Sequence, residues 1–151
     1  MSSLRQKALQ LLTRREHSRF ELAQKLEKSG SPEEIAAVLD HLEQTGLLSD
    51  QRTAAAYLAG HAARFGAAKL KHALRAKGIA PELIDASLAQ AVSKDALGSE
   101  EARAREVWQR RFGQAPADAR EWAKQARFLQ SRGFSIEAIK KTLKAPDDGN
   151  G

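Results

Sequence analysis

Four kinds of side-chain grouping in this chain could do chemistry, and residue type and spacing decide which. The four histidines are His17, His41, His61 and His72. No two stand three or four residues apart, so no helical turn offers two imidazoles to one metal ion. Solvent-facing or interface histidines are the preferred reading, and no metal is expected. The carboxylate pairs Glu33-Glu34, Glu100-Glu101 and Asp147-Asp148 fall in first helical turns or in the tail. Helix-end electrostatics or solvation explains them better than acid–base work. The stretch 60-GHAARFGAAKL-70 has two glycines and a lysine. It is not a phosphate loop, because the spacing is wrong, no Ser or Thr follows the lysine and no strand precedes it. The chain has no cysteine, which removes disulfides, thiolate nucleophiles and thiolate metal sites and fits a reducing, cytoplasmic setting. With no nucleophile motif, no catalytic residue and no cofactor are expected, and the chain is read as a non-enzyme.

The basic groupings are more informative. In 66-GAAKLKHALRAKG-78 the cations Lys69, Lys71, Arg75 and Lys77 occur without an acid. Lys71 and Arg75 are i, i+4 neighbours on a face away from Leu70 and Leu74. A merely soluble helix usually mixes signs, so this face is read as anion-binding rather than simply solvated. In 103-RAREVWQRRFG-113, Arg103, Arg105, Arg110 and Arg111 surround Trp108 and Phe112. Cations beside aromatic rings can bind nucleic acid by charge and stacking, although rings at i, i+4 are better read as a core stripe. Further along come Arg120, Lys124, Arg127, Arg132, Lys140 and Lys141, while Trp122, Phe128 and Phe134 read as core or corner packing. The net charge is +6. Residues 1–49 are neutral, 50–94 carry +4 and 95–151 carry +2. A basic middle points to nucleic acid or an acidic protein surface as partner.

The elements that must position these groups repeat along the chain. The segments 22-LAQKLEKSGSPEEIAAVL-39, 70-LKHALRAKGIAPELIDASL-88 and 125-QARFLQSRGFSIEAIKKTL-143 align on Gly30, Gly78 and Gly133. Leu26, Leu74 and Leu129 lie four residues before each glycine, Ile35, Ile84 and Ile139 follow, and Leu39, Leu88 and Leu143 come four later. That spacing puts the apolar side chains on one face of each helix. Each copy is therefore helix, glycine corner, helix, and the first corner is one residue short. A further helix precedes each pair, at about 2–15, 50–64 and 96–112. The N-terminal apolar run is too short and interrupted for a signal peptide or a membrane span and is read as the first helix.

The expected fold is all-α: three tandem three-helix repeats stacked into an elongated, curved array. The repeats span 1–49, 50–94 and 95–145, and 146–151 is a disordered tail. Caps support these limits: Ser18 with Glu21, Ser31-Pro32-Glu33-Glu34, Pro81 after Ala80, and Pro116-Ala117-Asp118 opening another helix. Gly46 with Ser49-Asp50, and the stretch from Ser93 to Ser99, mark the joints.

Five segments resemble the regulatory protein RecX family of RecA modulators. They are 14-RREHSRFELAQKL-26 with 42-LEQTGLLSDQRTAAAYL-58, 66-GAAKLKHALRAKGI-79, and 104-AREVWQRRFG-113 with 126-ARFLQSRGFSIEAIKKTL-143. The resemblance runs from about residue 4 to 144. It implies a protein that binds in the groove of the RecA–DNA filament and suppresses ATP hydrolysis and strand exchange. The chain is further expected to be a monomer that contacts single- or double-stranded DNA weakly and non-specifically and does not contact membranes. The matched exposed positions, and hence the implied RecA- or DNA-binding residues, are Arg15 and Arg19 in the first repeat, Lys69, Lys71, Arg75 and Lys77 in the second, and Arg110, Arg111, Arg127 and Arg132 in the third. The family's aromatic-rich joint is here 53-TAAAY-57, with Tyr57 as its one ring.

Two other readings compete with this one. The segment 16–48 also resembles a helix-turn-helix with a possible wing, which would make the chain a sequence-specific DNA-binding regulator. Its neutral charge counts against that, because phosphate contacts dominate DNA affinity. A helical-repeat scaffold for some other protein is the third.

Overall fold

The computed structural model describes residues 3–93 and 99–143. The tail 146–151 and most of the joint between Ser93 and Ser99 lie outside the described residues. Among the described residues there are nine α-helices and no strand. They are α1 (Ser3–Arg14), α2 (Arg19–Leu26), α3 (Pro32–Gln44), α4 (Asp50–His61), α5 (Ala67–Ala76), α6 (Pro81–Ser93), α7 (Glu100–Arg111), α8 (Ala119–Ser131) and α9 (Ile136–Thr142). They fall into three successive three-helix repeats.

The aligned apolar positions explain why. Leu26, Leu74 and Leu129 are fully buried, and Ile35, Ile84, Ile139, Leu39, Leu88 and Leu143 are buried as well. In each repeat the same leucine–isoleucine–leucine spacing closes the pair of helices that meets at the corner.

The corners after α5 and α8 share one backbone design. Gly78 and Gly133 adopt φ +77° and +88°, where only glycine escapes steric cost. The next amide then bonds five residues back, Ile79 N–H to the Leu74 carbonyl and Phe134 N–H to the Leu129 carbonyl. This is a Schellman ending, with the following apolar residue buried in each case. The first corner differs. Gly30 is not left-handed. A Cβ there would lie 3.1 Å from Leu4 Cδ2 and 3.2 Å from Glu34 Oε1, so those two side-chain ends would have to give by a few tenths of an ångström. The missing residue places the glycine directly before the Ser31 cap, which leaves no room for the left-handed turn.

The described residues form two compact units. One contains Met1–Tyr57 with Leu74–Ser87, the other Leu58–Ala73 with the chain from Leu88 onward, so the middle repeat contributes to both. In the first, α1, α2 and α3 pack on one another around Leu4, Ala8, Leu22, Leu26, Ile35, Leu39, Leu42 and Leu48. In the second, α7, α8 and α9 enclose Ala104, Ala126, Leu129, Phe134, Ala138, Ile139 and Leu143, with Val107, Trp108, Trp122 and Phe128 against them.

Helix starts follow the cap signals. Ser18 and Ser31 each close a full capping box, with Glu21 and Glu34. Ser99, Asp118 and Ser135 accept from the third amide beyond them. Asp118, rather than Pro116, opens α8, and Pro116 sits buried ahead of the cap. The third repeat's leading helix begins at Glu100, four residues later than its periodicity predicts, and residues 96–98 fall outside the described residues.

Candidate functional site

Each unit holds one joint in which the head of a repeat's second helix meets the corner of the next repeat. In the first unit the head is Ser18, which is fully buried. Its hydroxyl accepts from Glu21 N–H at 3.1 Å and donates to the Lys77 carbonyl at 2.6 Å. The Glu21 carboxylate accepts from Ser18 N–H at 2.9 Å and pairs with Lys77 Nζ at 3.0 Å. Lys77 Nζ also lies 5.5 Å from the centre of the Tyr57 ring. Asp50, the first residue of α4, accepts from Arg19 N–H at 2.8 Å. Gly78 fits directly against Phe20, where an added Cβ would come within 2.3 Å of the Phe20 Cβ.

The second unit repeats the plan. Gly66 stands at the head of α5, and its N–H donates to the Arg132 carbonyl at 2.8 Å. Glu100, the first residue of α7, plays the part of Asp50 and does more. Its Oε1 accepts from Ala67 N–H at 3.2 Å and its Oε2 from Ser135 N–H at 2.8 Å. The residue three beyond Ser135 is Ala138, which cannot close a capping box, so Glu100 supplies the missing acceptor from another helix. Gly66 touches Gly133 backbone to backbone; a Cβ would stand 2.3 Å from the Gly133 oxygen.

The ionisable groups at these joints are perturbed. Burial would raise the Glu21 pKa, but the Ser18 N–H bond, Lys77 and Arg15 outweigh it and hold the carboxyl below the ordinary value. His17 is buried, not solvent-facing. Burial lowers its pKa, and the nearby Arg15 and Lys25 charges push the same way. Its Nδ1 lies 3.0 Å from the Arg15 carbonyl and its Nε2 3.2 Å from Lys25 Nζ. A carbonyl only accepts and an ammonium only donates, so the neutral ring carries its proton on Nδ1. Arg103 is buried on α7, 3.5 Å from the Phe65 carbonyl, and burial lowers its pKa.

Beside the second joint four cations gather on two phenylalanine rings. Arg64, Lys69 and Arg132 lie 5.8, 5.1 and 5.7 Å from the Phe65 ring centre. Arg132 also lies 4.8 Å from the Phe128 ring and Arg111 5.1 Å from it. These are cation–π distances. Phe112 meets Phe128 edge-on at 5.5 Å, and the His61 ring stacks near Phe65 at 6.4 Å. Among the described residues none of these four cations forms an ion pair with a carboxylate.

Of the positions singled out in the sequence, the structure brings together Lys69, Arg111 and Arg132. Lys71 and Arg75 are exposed on α5, and Arg127 is exposed on α8. Arg110 lies 3.6 Å from Glu106. Arg15 donates to the Glu16 carbonyl at 2.9 Å and lies 3.7 Å from Glu21. Arg19 is held by Asp40 and Glu43 at 2.8 and 2.7 Å, and Lys77 by Glu21. Sequence reasoning missed Arg64 and Phe65 and took Phe128 for packing alone. The available signal is a ring flanked by cations, present in 64-RFGAAK-69 as it is around Trp108.

Family models described as the first, second and third three-helix domains of RecX match residues 5–42, 49–88 and 99–143. The chain belongs to the RecX family. The chain is 48% identical over 147 residues to the regulatory protein RecX of Leptothrix cholodnii, covering 96% of this chain and 90% of that one. It is 42% identical to the regulatory protein RecX of Herminiimonas arsenicoxydans, over 97% of this chain and 94% of that one. The crystal structure of RecX from Lactobacillus salivarius shares its fold, with TM-score 0.75 at 20% identity, over 92% of this chain and 91% of that one. RecX relatives are named as regulators, and the chain is accordingly a regulatory protein of this family. Among the described residues no helix is long and apolar enough to cross a membrane.

Proposed function

We propose that this chain is a non-enzymatic modulator of the RecA recombinase. It binds in the groove of the RecA–DNA filament in the cytoplasm and inhibits ATP hydrolysis and strand exchange, thereby regulating recombination and the SOS response. Membership of the RecX family carries this reading. Tandem repeats that offer cations from successive corners and helices support it, because a filament groove repeats both an acidic and a protein surface along its length. Direct contact with DNA is weak, salt-dependent and indifferent to sequence. Lys69, Lys71, Arg75, Arg110, Arg111, Arg127 and Arg132 supply its charge, whereas Arg15, Arg19 and Lys77, which face carboxylates at the first joint, add less.

The deciding experiment is RecA ATPase on single-stranded DNA, with this protein titrated in after filaments form. Inhibition well below one protein per RecA means capping or triggered disassembly. Inhibition only near saturation means groove occupancy. Untouched ATPase at stoichiometric excess overturns the proposal.

A further inference from the structure

We infer that Arg64, Lys69, Arg111 and Arg132 form a preorganised phosphate-binding site that engages the nucleic-acid backbone without touching the bases. The inference deepens the proposed DNA contact and rests on it. Four like charges held over two neighbouring rings repel one another. At an exposed site each cation–π contact returns too little to offset that repulsion. Among the described residues no carboxylate pairs with any of the four. Elsewhere the chain pairs its cations readily, as at Arg19, Arg52 and Lys77. A chain of phosphates neutralises such a cluster at several points at once, which a single carboxylate does not.

The rings set what the site can read. Proteins that grip single strands usually stack bases on aromatic side chains. Here Phe65 already carries Arg64, Lys69 and Arg132, with the His61 ring beside it. Phe128 carries Arg111 and Arg132, meets the edge of Phe112 and packs against the core. Cations within 6 Å of each ring centre compete with a base for those faces. The rings orient guanidinium groups, and Arg132, shared between both, fixes their spacing. Binding at this site is therefore blind to base identity and to base presence.

The test uses the full chain and fluorescence anisotropy of a short labelled dT oligonucleotide at several salt concentrations. An oligonucleotide of the same length made of abasic sites should bind within about twofold of dT; a loss of about tenfold or more would mean that bases stack, and overturns the inference. Each phosphate contact contributes about 0.7 to the salt slope on a single strand. Arg111→Gln with Arg132→Gln should therefore flatten the slope by about 1.4, while Arg132→Lys keeps it. An unchanged slope in the double variant, with helix content intact by circular dichroism, removes the cluster from the site. Inorganic tripolyphosphate probes the unmodified protein. At equal ionic strength it should displace far more of the oligonucleotide than chloride does, and equal displacement by the two overturns the proposal, as does absence of any DNA binding. RecA ATPase inhibition, measured in parallel, separates failure of this site from failure of the filament role: a protein can inhibit RecA while its slope ignores the cluster.

Discussion

The Ser18 hydroxyl donates to the Lys77 carbonyl at 2.6 Å across 59 residues of sequence, while it caps its own helix by accepting from Glu21 N–H. One buried oxygen thus serves a helix start and a joint between repeats. Ser31 closes an equivalent capping box but is exposed, and among the described residues its side chain bonds only within α3. Loss of a serine cap alone costs about 1 kcal/mol. Ser18→Ala also leaves the Lys77 carbonyl without its buried donor, which adds about 1–3 kcal/mol. We expect Ser18→Ala to cost at least twice what Ser31→Ala costs, measured as urea-unfolding free energy. Equal losses would mean that the Lys77 bond contributes nothing.

The glycines sort by what surrounds them. At Gly66 an added Cβ meets the Gly133 oxygen at 2.3 Å and Phe134 Cα at 2.6 Å, both backbone atoms that cannot swing aside. Gly66→Ala should force the joint apart and cost about 1–3 kcal/mol or more. Gly60 lies in α4 with nothing within 4 Å of the added atom. Gly60→Ala should therefore stabilise the helix by about 0.5 kcal/mol. Thermal melts of the two variants should move in opposite directions.

The corners were legible because Leu26, Leu74 and Leu129 and their isoleucine partners repeat at fixed spacing, and burial follows that spacing. Gly30 shows the limit of the pattern: alignment treats it as a third corner, yet its backbone is not left-handed. The joints were not legible. A basic residue before Gly78 and Gly133 is visible in the sequence, but the partners Ser18 and Gly66 lie 59 and 66 residues away, and no periodicity links them. The cation cluster was half legible. Lys69, Arg111 and Arg132 stood out by charge, whereas Phe128 at a core spacing gave no hint that its exposed side seats two guanidinium groups.

Two groups at the first joint tie stability to pH in the same direction. The unfolded His17 takes up a proton near pH 6.5, and the folded ring resists it, so the fold loses stability as pH falls from 6.5 toward the lowered folded value. Glu21 has its folded pKa below 4.5, so its contribution is full above that pH and drains as pH falls through the folded value. Urea midpoints should decline in two stages, the first setting in as pH falls below about 7 and the second in the carboxylate range. His17→Gln should abolish the first stage whatever its effect on absolute stability. A wild-type midpoint that stays level from pH 7 to 5 would contradict this assignment.

Glu100 and Asp50 hold matching places at the head of a repeat's first helix, and their amide variants should behave differently. Asp50 accepts one backbone N–H, from Arg19, through Oδ1 alone. An asparagine keeps one carbonyl oxygen and can retain that bond. Glu100 uses both oxygens, for Ala67 N–H and Ser135 N–H. A glutamine has one acceptor and turns a donor toward the other amide. It also removes the carboxylate that favours the charged form of the buried Arg103. Charge-assisted hydrogen bonds are worth roughly 1.5–3 kcal/mol, and a donor facing a donor forfeits that and more. Glu100→Gln should therefore cost about 2 kcal/mol or more, and Asp50→Asn about 1 kcal/mol or less. Hydrogen exchange sharpens the comparison: in Glu100→Gln the Ser135 or Ala67 amide should lose protection, while in Asp50→Asn the Arg19 amide keeps it. Equal costs for the two variants would show that Glu100 acts through one oxygen only and does not bridge α5 to α9.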